Sequence, residues 1–252
     1  MNIKSIKFIN YFSHGRKNIN ASSYIHGTAK TKLELDKTTS RTQVINYLLS
    51  NIRRKTTYLE IGVRNPEHNF NHISSDKKYS VDPGAEYKDN PVDYKMTSDE
   101  FFRLLDTDEI LSNTMKFDLV FIDGLHLAGQ VNRDIENSLR YIADDGFVVL
   151  HDCNPPTEWH AREDYRYQST PAGGFWNGTT WKAFLKWRSE SNVQSCCIDS
   201  DWGIGIISKT HPLGDSIQAT NPFFEFSELD KNRARELNLI SFEKLKLLLN
   251  GT

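Results

Sequence analysis

The run Phe117-Asp118-Leu119-Val120-Phe121-Ile122-Asp123-Gly124-Leu125-His126 decides the fold. Its first six residues put apolar side chains on both faces, as a buried parallel strand requires. Downstream, Leu127, Val131, Ile135 and Leu139 recur four apart as one helical stripe. Asp144-Asp145-Gly146 ends that helix, and Phe147-Val148-Val149-Leu150 is a second buried strand. Upstream, Ser40 with Gln43 forms a capping box ahead of Val44, Ile45, Leu48, Leu49 and Ile52, which predicts a helix over 40–53. That helix leads into a strand at 57–63, followed by strands at 79–82 and, more weakly, 92–96, then a helix over 99–105. This alternation calls for a parallel sheet covered by helices. Beyond a helix at 179–189, strands at 193–198 and 203–208 are joined by Asp199-Ser200-Asp201-Trp202. So short a connection forces an antiparallel pair. The expected fold is α/β: a doubly wound, mostly parallel seven-stranded sheet ending in an antiparallel hairpin. Residues 1–38 read as an N-terminal arm, 39–212 as the main domain and 213–252 as a C-terminal helical extension.

The bulk properties exclude several classes. With 252 residues, 38% apolar and 25% charged, the chain suits one soluble α/β domain with additions. A formal net charge of −2 supplies no basic face for nucleic acid. Arg53-Arg54-Lys55 reads as a solvated helix end rather than a phosphate patch. No apolar run reaches the ~18 residues of a membrane span, and the N-terminus lacks the core of a signal peptide. Cys153, Cys196 and Cys197 make no disulfide framework or zinc spacing, which fits a reducing cytoplasm. A small-molecule partner and self-association into a homo-oligomer are expected.

Ligands of open α/β sheets sit at the carboxyl ends of the strands. Glu60 and Gly62 close the first strand, and Asp82, 20 positions beyond Gly62, closes the second. An acid at that spacing can accept hydrogen bonds from both ribose hydroxyls of a nucleoside, while the glycine lets backbone approach the ligand. Glu60 is a costly charge at the end of an apolar strand unless a partner such as a ligand ammonium is present. Each has a plainer reading: Glu60 pairs with a nearby arginine, and Asp82 starts the Pro83-Gly84 turn. A nicotinamide dinucleotide would need further glycines, whereas Gly62-Val63-Arg64-Asn65-Pro66-Glu67 offers one glycine and an acid that repels pyrophosphate.

Tyr58-Leu59-Glu60-Ile61-Gly62-Val63, Val81-Asp82-Pro83, the run through His126, Leu150-His151-Asp152-Cys153, Phe175-Trp176-Asn177-Gly178-Thr179-Thr180-Trp181-Lys182 and Asp201-Trp202-Gly203-Ile204-Gly205 together resemble a branch of the Rossmann-like class I methyltransferases. That branch holds sugar O-methyltransferases and cephalosporin-hydroxylase-type proteins, and the resemblance covers roughly residues 40–209. It implies S-adenosylmethionine as cofactor, with Glu60 and Gly62 at its methionine and ribose parts, Asp82 on the ribose, and Thr97, Ser98 and Asp99 beside the adenine. The later glycines of the first loop are missing, so residues 64–70 depart from the usual methyltransferase pattern.

Methyl transfer to an alcohol needs a base, a metal or both, since a sugar hydroxyl holds its proton far above neutrality. Asp123 and His126 follow one buried strand, and His151 with Asp152 the next. If those strands adjoin, four ionisable groups converge. Singly, His126 reads equally as a helix cap, His151 as a core histidine and Asp152 as a turn cap. The resemblance implies Asp123 and Asp152 as metal ligands and His126 as base; without a metal, His126 oriented by Asp123 could still serve as base. His151 stands where that branch has an acid, so the expected set is Asp123, His151 and Asp152 around Mg2+ or Mn2+. An imidazole favours manganese, iron or zinc over magnesium. The segment 153–187 carries four of the five tryptophans, with His160, Tyr165 and Tyr167, and is the candidate acceptor pocket. A methyltransferase for a non-sugar acceptor and an inactive nucleoside-binding scaffold are the alternatives.

Overall fold

Ser40 caps α3 (Arg41–Ser50) with both halves of the expected capping box, so the helix starts one residue after it. Seven strands follow in the described chain: β1 (Thr57–Ile61), β2 (Lys77–Val81), β3 (Phe117–Ile122), β4 (Ile142–Leu150), β5 (Gln194–Ile198), β6 (Ile204–Ser208) and β7 (Leu239–Ile240). They form one sheet in the order β2-β1-β3-β4-β6-β5-β7. The other helices are α1 (Ile3–Ile19), α2 (Ser22–Leu35), α4 (Ser98–Asp106), α5 (Ala128–Tyr141), α6 (Thr180–Arg188), α7 (Phe226–Glu236) and α8 (Phe242–Asn250). This is a computed structural model, and it describes residues 3–87, 89–166 and 169–251.

The fold class is the expected one. β1 to β4 pair in parallel, and β5 and β6 form the antiparallel hairpin, with β6 beside β4. Three details differ. The strand expected at 92–96 is reduced to a single bridge between Val81 and Tyr94. The stretch at 144–146 does not end a helix: α5 stops at Tyr141 and β4 begins at once, with a register shift against β3 between Phe117 and Leu119. Beyond the hairpin, β7 adds a short strand parallel to β5, so residues 213–252 contribute to the sheet as well as two helices. Periodicity could not reveal a two-residue strand.

Strand alternation divides the core. Leu59 and Ile61, Val120 and Ile122, and Val148 and Leu150 pack with Phe101, Phe102, Val131, Ile135 and Phe184 of α4 to α6. Tyr58, Leu119, Phe121, Phe147 and Val149 pack on the other face with Val44, Ile45 and Leu48 of α3 and Leu245 of α8. Both faces are thus covered, which is why the central strands read as continuous apolar runs. Arg53, Arg54 and Lys55 are exposed just past the end of α3, as expected, but Arg54 also has acidic partners. It pairs with the buried Asp118 inside β3 and, at 2.6 Å, with Asp145, and Asp118 also accepts the Thr57 backbone N–H at 2.7 Å.

The chain leaves β1 for β2 and returns on the other side to β3, so the strand order reverses between β1 and β3. There the two strand ends cross closely. Gly62 has φ +92°, and a Cβ on it would lie 2.3 Å from the Asp123 carbonyl oxygen. Gly62 is therefore a glycine because the loop after β3 lies on it. Gly62→Ala should destabilise the protein by about 2–4 kcal/mol, from backbone strain plus overpacking. Urea unfolding measures this, and a loss below 1 kcal/mol would mean that the crossing can open.

Candidate functional site

The parallel pairing of β3 with β4 runs to Ile122 opposite Leu150, so Asp123 and His151 emerge side by side at the carboxyl edge. His126 follows in the loop that precedes α5. Asp152 adopts φ +61°, a conformation that aspartate tolerates better than most side chains, and it is 5% exposed.

These four groups meet. His126 Nδ1 lies 3.1 Å from Asp152 Oδ2, and its Nε2 lies 3.4 Å from Asp123 Oδ1. His151 Nδ1 lies 3.1 Å from Asp123 Oδ1 and 3.3 Å from Asp152 Oδ2. The donor atoms of Asp123, His126 and Asp152 all fall within 4.8 Å of one another. Two further residues, which sequence reasoning missed, complete the cluster. Asp201, in the β5–β6 turn, places Oδ1 3.1 Å from His151 Nε2. Arg41, at the start of α3, lies 3.3 Å from Asp201 through Nη1 and 3.8 Å from Asp123 through Nε. Only the tertiary fold brings these distant positions together, and no local signal in the sequence marks them.

Charge balance sets the proton affinities. Burial disfavours ionised Asp123, but His151, His126 and Arg41 outweigh it and hold its carboxyl well below the usual carboxylate range. Burial likewise opposes a proton on His126, yet Asp152 and Asp123 lift it to about 8. For His151, Asp152 and Asp123 overcome burial and raise it well above the ordinary histidine value.

Glu60 is 4% exposed and has no arginine ion pair; Tyr58 Oη and Asn69 Nδ2 both donate to its Oε2, at 2.5 and 2.9 Å. Among the described residues none bonds its Oε1. Burial, only partly offset by those two donors, pushes Glu60 up to about 7. Asp82 follows β2 and accepts the Gly84 backbone N–H at 2.6 Å, so the turn-starting role is real; burial also raises its carboxyl. Thr97 caps α4 by accepting the Glu100 N–H, Ser98 accepts from Gln130 at 3.1 Å, and Asp99 pairs with Arg133 at 3.3 Å.

The aromatic segment divides. Trp176 stacks on His126 with centroids 5.2 Å apart, and the exposed Tyr165 lies 5.6 Å from Trp176 on its own account. Trp159 is half-exposed over Arg162. Trp181 is core, against Phe224 and Phe226, and the half-buried Trp187 donates to Asn132 at 3.2 Å. His160 is fully buried against Thr157, and burial pushes it down to about 4. Tyr167 lies outside the described residues.

Residues 43–153 match the family model described as a methyltransferase domain. That stretch holds Glu60, Gly62, Asp82, Asp123, His126, His151 and Asp152. No curated protein matches the chain. Among solved structures, the chain is similar to an O-methyltransferase from Bacillus cereus in complex with SAH, at 14% identity and a TM-score of 0.44, covering 77% of this chain and 94% of that one. It is also similar to the O-methyltransferase TomG from Streptomyces achromogenes in complex with SAM, at 16% identity and a TM-score of 0.42, covering 76% and 91%. A third is the SAH-bound methyltransferase PaMTH1 from Podospora anserina, at 12% identity and a TM-score of 0.44, covering 83% and 97%.

Glu60 holds its proton more tightly folded than unfolded. Its contribution to stability is therefore full below its ordinary value of 4.5 and is lost as pH rises through about 7. Glu60→Gln copies the neutral form and can still accept both hydrogen bonds. At pH 8 the unliganded variant should be more stable than the wild type by roughly 2–3 kcal/mol, with no gain below pH 4.5. Thermal unfolding across that range decides it, and equal stability at pH 8 would show that Glu60 ionises there without cost.

Proposed function

We propose that the chain is an S-adenosylmethionine-dependent O-methyltransferase, acting on a hydroxyl of a sugar, glycan or sugar-bearing small molecule with help from a divalent cation. The observation that carries this reading is the convergence of Asp123, His126, His151 and Asp152 at the carboxyl edge of adjoining β3 and β4. It lies within the stretch that matches a methyltransferase domain. Bound at this edge, the cofactor would supply a methyl group already activated by its sulfonium. Glu60 Oε1 would take the cofactor's ammonium, and Asp82 its ribose hydroxyls.

With the cofactor bound, the acceptor oxygen would take its methyl group in exchange for the sulfur–carbon bond, and the hydroxyl proton would have to leave. His126 is the base in this reading. It would take that proton at Nε2, where its carboxylate contact is the longer one, while Asp152 and the Trp176 ring keep the imidazole in place. To act as base the imidazole must be neutral, and the carboxylates that lift it to about 8 place that form on the alkaline side of neutrality. The donor set suits a divalent cation. Asp123 and Asp152 offer carboxylate oxygens and His151 offers Nδ1, a mixed oxygen and nitrogen set that would polarise the acceptor oxygen. Trp176 and Tyr165 provide aromatic faces of the kind that stack on sugar rings.

Calorimetry tests the cofactor. The protein should bind S-adenosylhomocysteine and not NAD, and Asp82→Ala should weaken that binding by roughly 1–3 kcal/mol. Tight NAD binding with no response to S-adenosylhomocysteine would sink the reading. His126→Ala should keep cofactor affinity and lose about 10²–10⁴-fold in turnover. Normal turnover of that variant beside a dead His151→Ala would move the base to His151.

A further inference from the structure

His151 has two chemically different sides. Its Nδ1 faces Asp123 and Asp152, and its Nε2 faces Asp201. Arg41 Nη1 and His151 Nε2, 3.1 Å apart, converge on the same Oδ1 of Asp201. Two donors sharing one carboxylate oxygen is the consistent assignment, since Asp201 also accepts the Arg41 backbone N–H at 2.7 Å through Oδ2. Nε2 then carries a hydrogen, and Nδ1 is the nitrogen turned to the two carboxylates. A histidine held this way, by a carboxylate on its outer nitrogen, has its ring orientation and tautomer set for ligation by the inner one.

The turn that carries Asp201 is costly. Asp201, Trp202 and Gly203 have φ of +47°, +63° and +92°, and for a tryptophan that conformation is an outlier. Such strain persists where surrounding contacts over-determine it. Here Glu34 accepts the Trp202 N–H at 2.8 Å, Asn154 donates to the Trp202 carbonyl at 2.8 Å, and Phe175 stacks on the indole at 4.7 Å. The result of all this bracing is one carboxylate delivered to the back of His151.

We propose that Asp201 is a positioning residue, which orients His151 as the nitrogen ligand of a cation pocket formed with Asp123 and Asp152. This rests on the cation-assisted reading above and deepens it. His126, whose nitrogens lie 3.1 Å from Asp152 and 3.4 Å from Asp123, is thereby left free for the acceptor proton. An imidazole ligand also sets the cation class: manganese, iron or zinc rather than magnesium.

The test titrates Mn2+ into the full-length protein, following free Mn2+ by electron paramagnetic resonance, with S-adenosylhomocysteine calorimetry on the same samples. Asp201→Asn is chosen because asparagine tolerates a positive φ. It should weaken Mn2+ binding by about 10–100-fold and leave S-adenosylhomocysteine affinity unchanged. Asp199→Asn, in the same turn but paired with Lys37, should bind Mn2+ like the wild type. In a His151→Ala background Asp201→Asn should have no further effect, a coupling that a merely structural role would not produce. Wild-type Mn2+ affinity in Asp201→Asn would overturn the proposal, as would equal losses in Asp199→Asn. Absent Mn2+ binding by a wild type that still binds S-adenosylhomocysteine overturns the cation pocket, and the role of Asp201 with it, while the cofactor reading stands. A wild type that binds neither overturns the methyltransferase reading too.

Discussion

Charges brought out of water must find partners, and the carboxyl edge of this sheet is organised by that requirement. Asp123, Asp152 and Asp201 meet Arg41, His126 and His151 within contacts of 3.1 to 3.8 Å. Removing any one of these groups would leave a buried opposite charge. The cluster therefore constrains everything that contributes to it: the ends of β3 and β4, the first residue of α3 and the β5–β6 turn. Pairing is also what fits the site for chemistry, because the same carboxylates that stabilise the imidazoles can hold a cation or orient a base.

The surrounding chain braces Asp152 from a distance. Asn177 donates to Asp152 at 2.9 Å and to the Trp202 carbonyl at 3.2 Å. The backbone N–H of Asn177 is held at 3.1 Å by the carbonyl of His160, which is itself packed beside Thr31 of α2. Thr31 reaches the Pro171 carbonyl at 2.9 Å as well. Helix α2 is thus tied to the segment that covers the site, through Glu34 and Trp202 and through Thr31. What reads in sequence as an arm makes structural contact with the chemistry by way of two intermediaries.

The legible part of the site was the part set by single strands. Glu60, Asp82, Asp123, His151 and Asp152 each directly follow or end an apolar run, and a strand's end is visible in a linear pattern. Arg41, Asp201, Asn177 and Asn69 were not legible as site residues. They come from a helix start, a hairpin turn and two loops, and nothing in local composition says that these meet. Glu60 shows the limit in another way. The protein supplies one of its oxygens with two neutral donors that the linear pattern did not announce, Tyr58 two residues before it and Asn69 nine residues beyond.

The sequence by itself determined the alternation of strands and helices, the burial of the central strands on both faces, the α3 cap and the antiparallel hairpin. All of these follow from local periodicity, capping chemistry and connection length. Tertiary structure alone decided that β3 and β4 adjoin, that β7 extends the sheet, that Gly62 serves a chain crossing, and that Arg54 closes on Asp118 and Asp145. Each of these depends on which distant segments share space, and a buried charge or a missing Cβ acquires its meaning only from the neighbour the fold puts beside it.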